Sequence, residues 1–298
     1  MNSLALPPDF DARVLRNEPM SRHTSWHVGG PADLFFTPLD VADLAAFLRS
    51  LSASTPILWI GLGSNLLVRD GGIRGAVIDT HGVFAELERL NDNEVWSGSG
   101  VACAKLAKQC IKWGLGPAEF FAGIPGTLGG ALAMNAGAFG GETWNHVISV
   151  ATLDRAGVRR ERLASDYRVS YRHVDGPANE WFLGARLRFE QRPDVSSEDI
   201  RLLLARRKAT QPIGEWSCGS VFTNPPGNHA AKLIDSAGLK GFAIGGARVS
   251  EMHANFIVND GHASAADIEQ LIAHVQQTVE RVHGVRLTPE VRMVGEAK

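Results

Sequence analysis

Residues 123–130 read Gly123-Ile124-Pro125-Gly126-Thr127-Leu128-Gly129-Gly130, and this glycine-rich segment continues to residue 141 with seven glycines in all. Because glycine weakens regular secondary structure, such a density needs a physical reason. One reason is the close approach of main-chain N–H groups to a bulky anionic ligand, and another is a set of tight turns between packed segments. The segment matches neither the P-loop nor the Gly-x-Gly-x-x-Gly fingerprint, so neither of those nucleotide sites is predicted.

The composition is that of an ordinary globular protein. The 298 residues are 44% hydrophobic and 21% charged, with a net charge of −2, and this length suits two or three domains. The near-neutral charge argues against a nucleic-acid partner. Residues 1–9 lack the cationic and apolar parts of a signal peptide, and no apolar run approaches the roughly 20 residues that span a bilayer. We therefore expect a cytoplasmic protein without a membrane partner.

The chain has three cysteines and ten histidines, and neither set has metal-ligand spacing. Cys103 and Cys110 are seven residues apart on a predicted helix, which places them on one face as core residues. We therefore expect no disulfide framework and no metal site.

Hydrophobic periodicity predicts a mixed α+β chain without repeats. Helices are expected over residues 41–51, 102–113, 197–208 and 264–283, with Asp40 and Ser264 as caps and Gly114 and Gly284 as terminators. Strands are expected over residues 56–60, 75–79, 93–97, 147–154 and 181–189.

A second glycine-rich segment, Gly61-Leu62-Gly63-Ser64-Asn65, directly follows the strand at 56–60. Gly63 permits a turn with positive φ, and Ser64 and Asn65 add side-chain donors to the exposed amides. Two such loops, both beside apolar strands, favour one long pyrophosphate ligand that is held from two sides. FAD fits this description better than a mononucleotide does.

These segments belong to a set of motifs that together resemble the UDP-N-acetylenolpyruvoylglucosamine reductase family over roughly residues 20–295. Each motif is weak alone, but they occur in the family's order. They are His23-Thr24-Ser25-Trp26-His27-Val28-Gly29-Gly30-Pro31-Ala32, the two glycine-rich segments, Tyr167-Arg168-Val169-Ser170-Tyr171-Arg172, Cys218-Gly219-Ser220-Val221-Phe222-Thr223-Asn224-Pro225, Ala230-Ala231-Lys232-Leu233-Ile234-Asp235, His253-Ala254-Asn255-Phe256-Ile257-Val258-Asn259 and Pro289-Glu290-Val291-Arg292.

The resemblance implies a two-part FAD-binding unit of the vanillyl-alcohol-oxidase type and a C-terminal α/β substrate-binding domain. The expected division is residues 1–70 with 288–298 for the first FAD-binding subdomain, 71–200 for the second, and 201–287 for the substrate-binding domain. It further implies non-covalent FAD and NADPH as hydride donor. The implied reaction reduces the enolpyruvyl ether of UDP-N-acetylglucosamine to UDP-N-acetylmuramate, an early peptidoglycan precursor. The hydride passes from flavin N5 to the vinyl carbon, and a proton then reaches the adjacent carbon.

Three residues meet the demands of that reaction as the resemblance implies it. Arg168 would stabilise the charge that develops on the substrate carboxylate. Ser220 would donate the proton, with Gly219 giving its hydroxyl access to the flavin face. Glu290 would be held protonated beside the anionic intermediate and donate a hydrogen bond to it. Without the motifs, the three would be read as a surface arginine, a turn serine and an exposed glutamate.

Contacts to FAD are predicted for residues of the two glycine-rich segments, namely Gly61, Gly63, Ser64, Asn65, Leu66, Gly123, Ile124, Pro125, Gly126, Gly129, Gly130, Asn135, Ala136 and Gly137. Substrate contacts are predicted for Tyr167, Arg207, Asn224, Lys232 and His253. Arg207 belongs to a cationic helix end with Arg201, Arg206 and Lys208. That end suits either the UDP pyrophosphate or a solvated helix C-terminus.

The chain departs from the family pattern in two places. Thr223 stands where many members carry lysine, so a cationic contact is lost or comes from elsewhere. Tyr167 and Tyr171 are the only tyrosines, and the segment between residues 190 and 197 is too short for the extra tyrosine-bearing loop of longer members. We therefore expect the shorter type, acting as a monomer, with an open question about what holds the pyrophosphate.

Two other functions compete with this interpretation. An oxidase of the same flavin superfamily would keep FAD, often tethered through histidine or cysteine. A non-catalytic UDP-sugar binding protein would be colourless and would not oxidise NADPH in the presence of the enolpyruvyl substrate.

Overall fold

The computed structural model describes residues 6–298. The prediction that residues 1–9 form no signal peptide falls partly on residues 1–5, which lie outside the described residues. Within residues 6–298 the chain forms both helices and strands, which confirms the α+β prediction. The helices are α1 Pro8–Asp11, α2 Val41–Ser50, α3 Cys103–Lys112, α4 Leu128–Met134, α5 Ser197–Thr210, α6 Ala230–Ser236 and α7 Ala265–His283.

The strands are mostly short, and their chain order mixes with the helices. They are β1 Leu15–Pro19, β2 Pro31–Phe36, β3 Ile57–Ile60, β4 Leu66–Val68, β5 Ile73–Asp79, β6 Leu87–Arg89, β7 Glu94–Gly98, β8 Leu115–Gly116, β9 Gly137–Ala138, β10 Gly141–Glu142, β11 Val147–Asp154, β12 Arg159–Leu163, β13 Arg168–Ser170, β14 His173–Asp175, β15 Glu180–Arg188, β16 Glu190–Gln191, β17 Ala243–Ile244, β18 Ala247–Val249, β19 Ile257–Asn259 and β20 Arg292–Val294.

The largest sheet has the strand order β12-β11-β15-β7-β6, with antiparallel neighbours throughout. A four-stranded sheet has the order β1-β2-β5-β3, and a three-stranded sheet the order β17-β18-β19. Short pairs are β13 with β14, β9 with β10, β8 with β16, and β4 with β20. The last pair is parallel and joins two segments that are far apart in the sequence, with Leu66 opposite Arg292.

The chain forms two compact units. Among the described residues the first unit comprises 6–15, 34–62 and 76–205, and the second comprises 16–33, 63–75 and 206–298. The first unit has two cores, one around α3, α4 and the five-stranded sheet and one around α2. The core of the second unit lies around α6 and α7. The three-part domain division remains a prediction.

The helices begin and end where local signals predict. Asp40 accepts a hydrogen bond from the Asp43 N–H and caps α2. At α7, Ser264 and Asp267 form a capping box, and Gly284 ends the helix with φ +67°. Asp70 adds two acceptors for the Ala265 and Ala266 N–H groups, 3.1 and 2.9 Å away. The start of α7 is therefore anchored to the segment that follows β4.

Cys103 and Cys110 are both fully buried on one face of α3, as predicted. Burial raises the pKa of each thiol to about 12. No helix within residues 6–298 is long and apolar enough to cross a membrane. In the same range, no group of three or more histidine, cysteine or carboxylate side chains is placed to bind a metal ion.

Glu94 is the most heavily paired carboxylate of the five-stranded sheet. It lies on β7, is 5% exposed, and accepts hydrogen bonds from Arg188, Arg186 and Asn91. Hydrogen bonds from Arg188 and Arg186 lower its pKa from 4.5 to about 2. The pairing joins β7 to β15 through charge as well as through the strand ladder.

We expect Glu94→Gln to lower the thermal unfolding midpoint at pH 7, because two arginines then lose their carboxylate partner. The pKa of Glu94 is lower in the folded state, so its stabilisation is complete above 4.5 and disappears as the pH falls towards about 2. The difference between wild type and variant should therefore shrink over that pH range, as measured by circular dichroism melts.

The control is Glu88→Gln, which removes an exposed carboxylate from the neighbouring strand β6. It should leave the midpoint unchanged at every pH. An equal loss in both variants, or a Glu94→Gln effect that persists undiminished at pH 2, would contradict the prediction.

Candidate active site

In the first unit the two glycine-rich segments meet at Gly61 and Thr127. Gly61 follows β3, and a Cβ atom added to it would lie only 2.4 Å from Thr127 Oγ1. Thr127 is the residue before α4, within the 123–141 segment. Glycine is therefore required at residue 61 by close approach, and the structure brings these two parts of the predicted FAD site together.

The start of α4 is only partly available to a ligand. The Leu128 N–H donates to the Val101 carbonyl at 2.9 Å, and the Gly129 N–H donates to the Ser99 carbonyl at 2.8 Å. These two amides are satisfied within the protein and do not provide the anion-binding donors that a free helix N-terminus offers. The carbonyl groups of Ser99 and Val101 instead accept these hydrogen bonds and hold the start of the helix.

Several glycines of the 123–141 segment are explained by packing. A Cβ on Gly123 would meet Phe139 at 2.5 Å, one on Gly137 would meet the Gly141 carbonyl at 2.2 Å, and one on Gly141 would meet Phe120 at 2.5 Å. Gly130 and Gly140 have open space instead: the nearest neighbour is 4.0 Å away at Gly130, and no atom lies within 4 Å at Gly140. The tight-turn explanation of this segment therefore holds for part of it.

Two buried hydroxyls near this junction point to a ligand. Thr127 is 2% exposed and Ser99 is 0% exposed, yet neither side-chain oxygen has a hydrogen-bond partner within residues 6–298. An unsatisfied buried hydroxyl costs about 1–3 kcal/mol. Polar atoms of a bound molecule would remove that cost. Neither residue was among the predicted FAD contacts, because a single hydroxyl carries no pattern in the sequence.

The second unit contains the other half of the 61–65 segment. Gly63 adopts φ +68°, as predicted, and a Cβ there would lie 1.9 Å from the His23 carbonyl. The Ser25 N–H donates to the Gly63 carbonyl at 3.2 Å. The Ser25 hydroxyl is buried and has no partner in the described part of the chain. Asn65 Nδ2 donates to the Glu290 carbonyl at 3.1 Å.

Ser220 and Glu290 are brought together within the second unit. The Glu290 N–H donates to the carbonyl of Val221, the residue after Ser220, at 2.8 Å. Gly219 adopts φ +81°, a conformation that favours glycine at the turn before Ser220. Burial raises the pKa of the Cys218 thiol well above its usual value. Two of the three predicted catalytic residues therefore share one corner of the fold.

Asn255 supports this corner and was not singled out by sequence reasoning. It is 4% exposed, and its side chain both accepts from the Phe222 N–H at 3.0 Å and donates to the Phe222 carbonyl at 2.8 Å. Its own carbonyl accepts from the Val221 N–H at 2.9 Å. The available signal was its position in the 253–259 motif, beside the predicted His253.

Arg168 opens the short hairpin of β13 and β14 in the first unit and is exposed. Tyr167, directly before it, is half-buried, with its ring 4.7 Å from that of Trp144 and 5.8 Å from that of Phe182. Burial raises the pKa of Tyr167 to about 12. Tyr167 also lines an open cleft of about 430 Å³, together with Asn135, Glu142 and Ser170. The prediction that Arg168 acts together with Ser220 and Glu290 involves both units and remains a prediction.

The other predicted substrate contacts have mixed surroundings. Asn224 is exposed and its side chain accepts from the Ala230 N–H at 3.0 Å, at the start of α6. Lys232 is exposed on α6. His253 accepts from the Asn255 N–H at 3.3 Å, and burial lowers its pKa. Arg207 donates to Gln211 at 2.7 Å, and burial lowers its pKa.

The fold and the glycine-lined junction define an FAD-binding protein, and a model of the FAD binding domain matches residues 32–161. A second model, the C-terminal domain of UDP-N-acetylenolpyruvoylglucosamine reductase, matches residues 211–294. The chain belongs to the UDP-N-acetylenolpyruvoylglucosamine reductase family.

The relatives match over nearly the whole chain. The enzyme of that name from Alkalilimnicola ehrlichii is 58% identical over 282 residues, which is 94% of either chain. The one from Nitrosococcus oceani is 57% identical over 93% of either chain. The crystal structure of UDP-N-acetylenolpyruvylglucosamine reductase from Thermus caldophilus is 32% identical, covers 94% of this chain and 98% of its own, and superposes with a TM-score of 0.80.

The described residues fit FAD. Gly61 leaves no room for a side chain beside Thr127, and the hydroxyls of Thr127 and Ser99, which have no partner in the described part of the chain, are of the type that binds a polar cofactor. Whether all fourteen predicted contact residues touch FAD remains a prediction.

We expect Thr127→Val to weaken FAD binding by about tenfold, the effect of losing roughly 1.4 kcal/mol. The cofactor-free protein should be as stable as wild type or more so, because a buried hydroxyl without a partner is replaced by a methyl group. Fluorescence titration of the stripped protein with FAD and thermal melts of both forms measure the two effects.

Thr152→Val is the matched control, since Thr152 is equally buried but its hydroxyl donates to Glu180 at 2.8 Å. It should destabilise the cofactor-free protein and leave FAD affinity unchanged. Unaltered FAD affinity in Thr127→Val would show that this hydroxyl does not contact the cofactor.

Proposed function

We propose that this chain is an NADPH-dependent flavoenzyme that reduces UDP-N-acetylglucosamine enolpyruvate to UDP-N-acetylmuramate in peptidoglycan precursor synthesis. The observation that carries the proposal is the 58% identity over 94% of the chain to a relative named UDP-N-acetylenolpyruvoylglucosamine reductase. We further propose a cytoplasmic monomer, in accord with the near-neutral charge and the ordinary globular composition. The UDP-sugar is its small-molecule substrate.

When bound near Gly61 and Thr127 and reduced by NADPH, FAD would provide the hydride that the vinyl carbon of the substrate receives. Arg168 binds the substrate carboxylate and stabilises the negative charge that grows there during the reaction. A guanidinium suits this role because it is permanently charged and presents two parallel donors to a carboxylate. Its exposed position on β13 supports this assignment.

Ser220 donates the proton that completes the reduction at the adjacent carbon. A serine hydroxyl is a weak acid, so it acts only on a strongly basic carbanion and only when it is well oriented. The double hydrogen bond of Asn255 to Phe222 and the Glu290 N–H bond to Val221 hold the chain on the C-terminal side of Ser220. This bracing supports the proposed role because it restricts the movement of the hydroxyl.

Glu290 stays protonated and donates a hydrogen bond to the developing enolate. An ionised carboxylate would repel the intermediate, whereas a neutral one stabilises it. Two hydrogen bonds within the second unit hold the backbone of Glu290. Its N–H donates to the Val221 carbonyl, and its carbonyl accepts from the Asn65 side chain.

FAD is bound without a covalent bond in this proposal. Cysteine tethering needs a reactive thiolate, and all three cysteines are buried with raised pKa values. Denaturation should release the yellow colour into the filtrate. Colour that stays with the denatured chain would favour the oxidase alternative.

The central test is the visible spectrum of the purified protein. Flavin absorbance should bleach on addition of NADPH without air and return on addition of the enolpyruvyl UDP-sugar, with UDP-N-acetylmuramate as product by mass spectrometry. Recovery with oxygen alone and not with this substrate would indicate an oxidase. Protein that binds no flavin would reject the proposal.

We expect Glu290→Gln to slow the recovery of flavin absorbance by substrate about 10²–10⁴-fold, the usual contribution of a proton-handling side chain. Bleaching by NADPH should proceed at the wild-type rate. Stopped-flow absorbance separates the two half-reactions, and Glu280→Gln on the exposed face of α7 serves as control. Recovery at the wild-type rate in Glu290→Gln would show that the carboxyl is not needed as an acid.

A further inference from the structure

The hairpin that carries Arg168 is hydrogen-bonded to residues 135–137 of the 123–141 segment. Arg172 lies in the two-residue loop between β13 and β14, where Ser170 pairs with His173. Its guanidinium donates to the Gly137 carbonyl at 2.9 Å and to the Asn135 carbonyl at 3.4 Å. A single side chain therefore links the hairpin loop to the chain that follows α4.

Asn135 makes the same connection from the opposite side. It is 1% exposed, ends α4 with φ +47°, and donates through Nδ2 to the Ser170 carbonyl at 3.1 Å and to Glu142 at 3.0 Å. Its Oδ1 accepts from the Trp144 N–H at 3.1 Å. The Ser170 carbonyl belongs to the same three-residue strand as Arg168, so this bond acts two residues from the predicted catalytic side chain.

The backbone conformation of Arg172 indicates that an arginine side chain is needed at this position. Its φ is +58°, a left-handed conformation that glycine and asparagine adopt more readily than arginine. Strain of this kind persists where the side chain or its neighbours require it. Here the hairpin has arginine although glycine would relieve the strain, and glycine would lose the two carbonyl contacts as well as the contact of the guanidinium with the Tyr171 ring, 5.5 Å from its centroid.

We propose that Arg172 is a positioning residue, which holds the β13–β14 hairpin against Asn135–Gly137 and thereby sets the location of the Arg168 guanidinium. The inference rests on the proposed function, since it assigns Arg168 to the substrate carboxylate. Arg172 itself need not touch substrate or cofactor. Its effect reaches the reaction through a strand only three residues long, which has little rigidity of its own.

The first measurement compares Arg172→Gly and Arg172→Lys with wild type in the two half-reactions. Arg172→Gly removes the tether and relieves the backbone strain, so the fold should remain stable. Recovery of flavin absorbance by the enolpyruvyl substrate should slow about 10- to 100-fold, the cost of a misplacement on the order of 1 Å. Bleaching by NADPH should be unchanged, and Arg172→Lys should recover part of the lost rate.

The matched control is Arg155→Ala. Arg155 also ties two parts of the first unit together by donating to carbonyls, those of Ser52 and Thr55, both at 2.6 Å. Its loss should lower the melting temperature without selective slowing of the substrate step. A purely structural role for Arg172 predicts the same outcome for both arginines, which would overturn the proposal.

The second measurement does not depend on catalysis. Hydrogen exchange followed by mass spectrometry should show faster exchange over residues 168–175 in Arg172→Gly, but not in Arg155→Ala. Unchanged exchange together with a wild-type substrate step would overturn the proposal. If wild type itself fails to reduce the enolpyruvyl UDP-sugar, the proposed function fails while the exchange data still show whether Arg172 holds the hairpin.

Discussion

The absence of a side chain at Gly61 and at Gly63 is the constraint on which the cofactor region depends. At Gly61 the space is taken by the Thr127 hydroxyl, and at Gly63 by the His23 carbonyl. Both glycines lie in the short loop that leads from β3 to β4, and β4 pairs with β20, the strand that follows Glu290. A methyl group at Gly63 would displace main-chain atoms of His23 and Thr24, whereas one at Gly61 would displace the side chain of Thr127.

Much of the fold follows from local sequence patterns. The helices α2, α3 and α7 are predicted by their apolar stripes. A capping residue marks the start of α2, a glycine follows the end of α3, and α7 has both signals. The strand β11 is likewise indicated by its β-branched residues, and β15 by its alternating pattern. The family followed from motif order, and the near-full-length relatives confirmed it.

Details of the candidate site were harder to predict from the sequence, because they depend on contacts between residues that are far apart along the chain. Asn255 meets Phe222 across 33 residues, and Arg172 meets Gly137 across 35. The 123–141 glycines looked alike in sequence, yet Gly141 is required by Phe120 while Gly130 faces open space. Tyr167 is predicted to contact substrate, but its ring packs against Trp144, an orientation that no local pattern encodes.

The parallel pairing of β4 with β20 has a consequence for the order in which the protein matures on the ribosome. Leu66 to Val68 are synthesised long before their neighbours Arg292 to Val294. The second unit therefore completes this pairing only after residue 294 has been synthesised, and the hydrogen bond from Asn65 to the Glu290 carbonyl forms equally late. A nascent chain stalled before residue 290 would contain the 61–65 segment but lack the Glu290 carbonyl to which Asn65 donates.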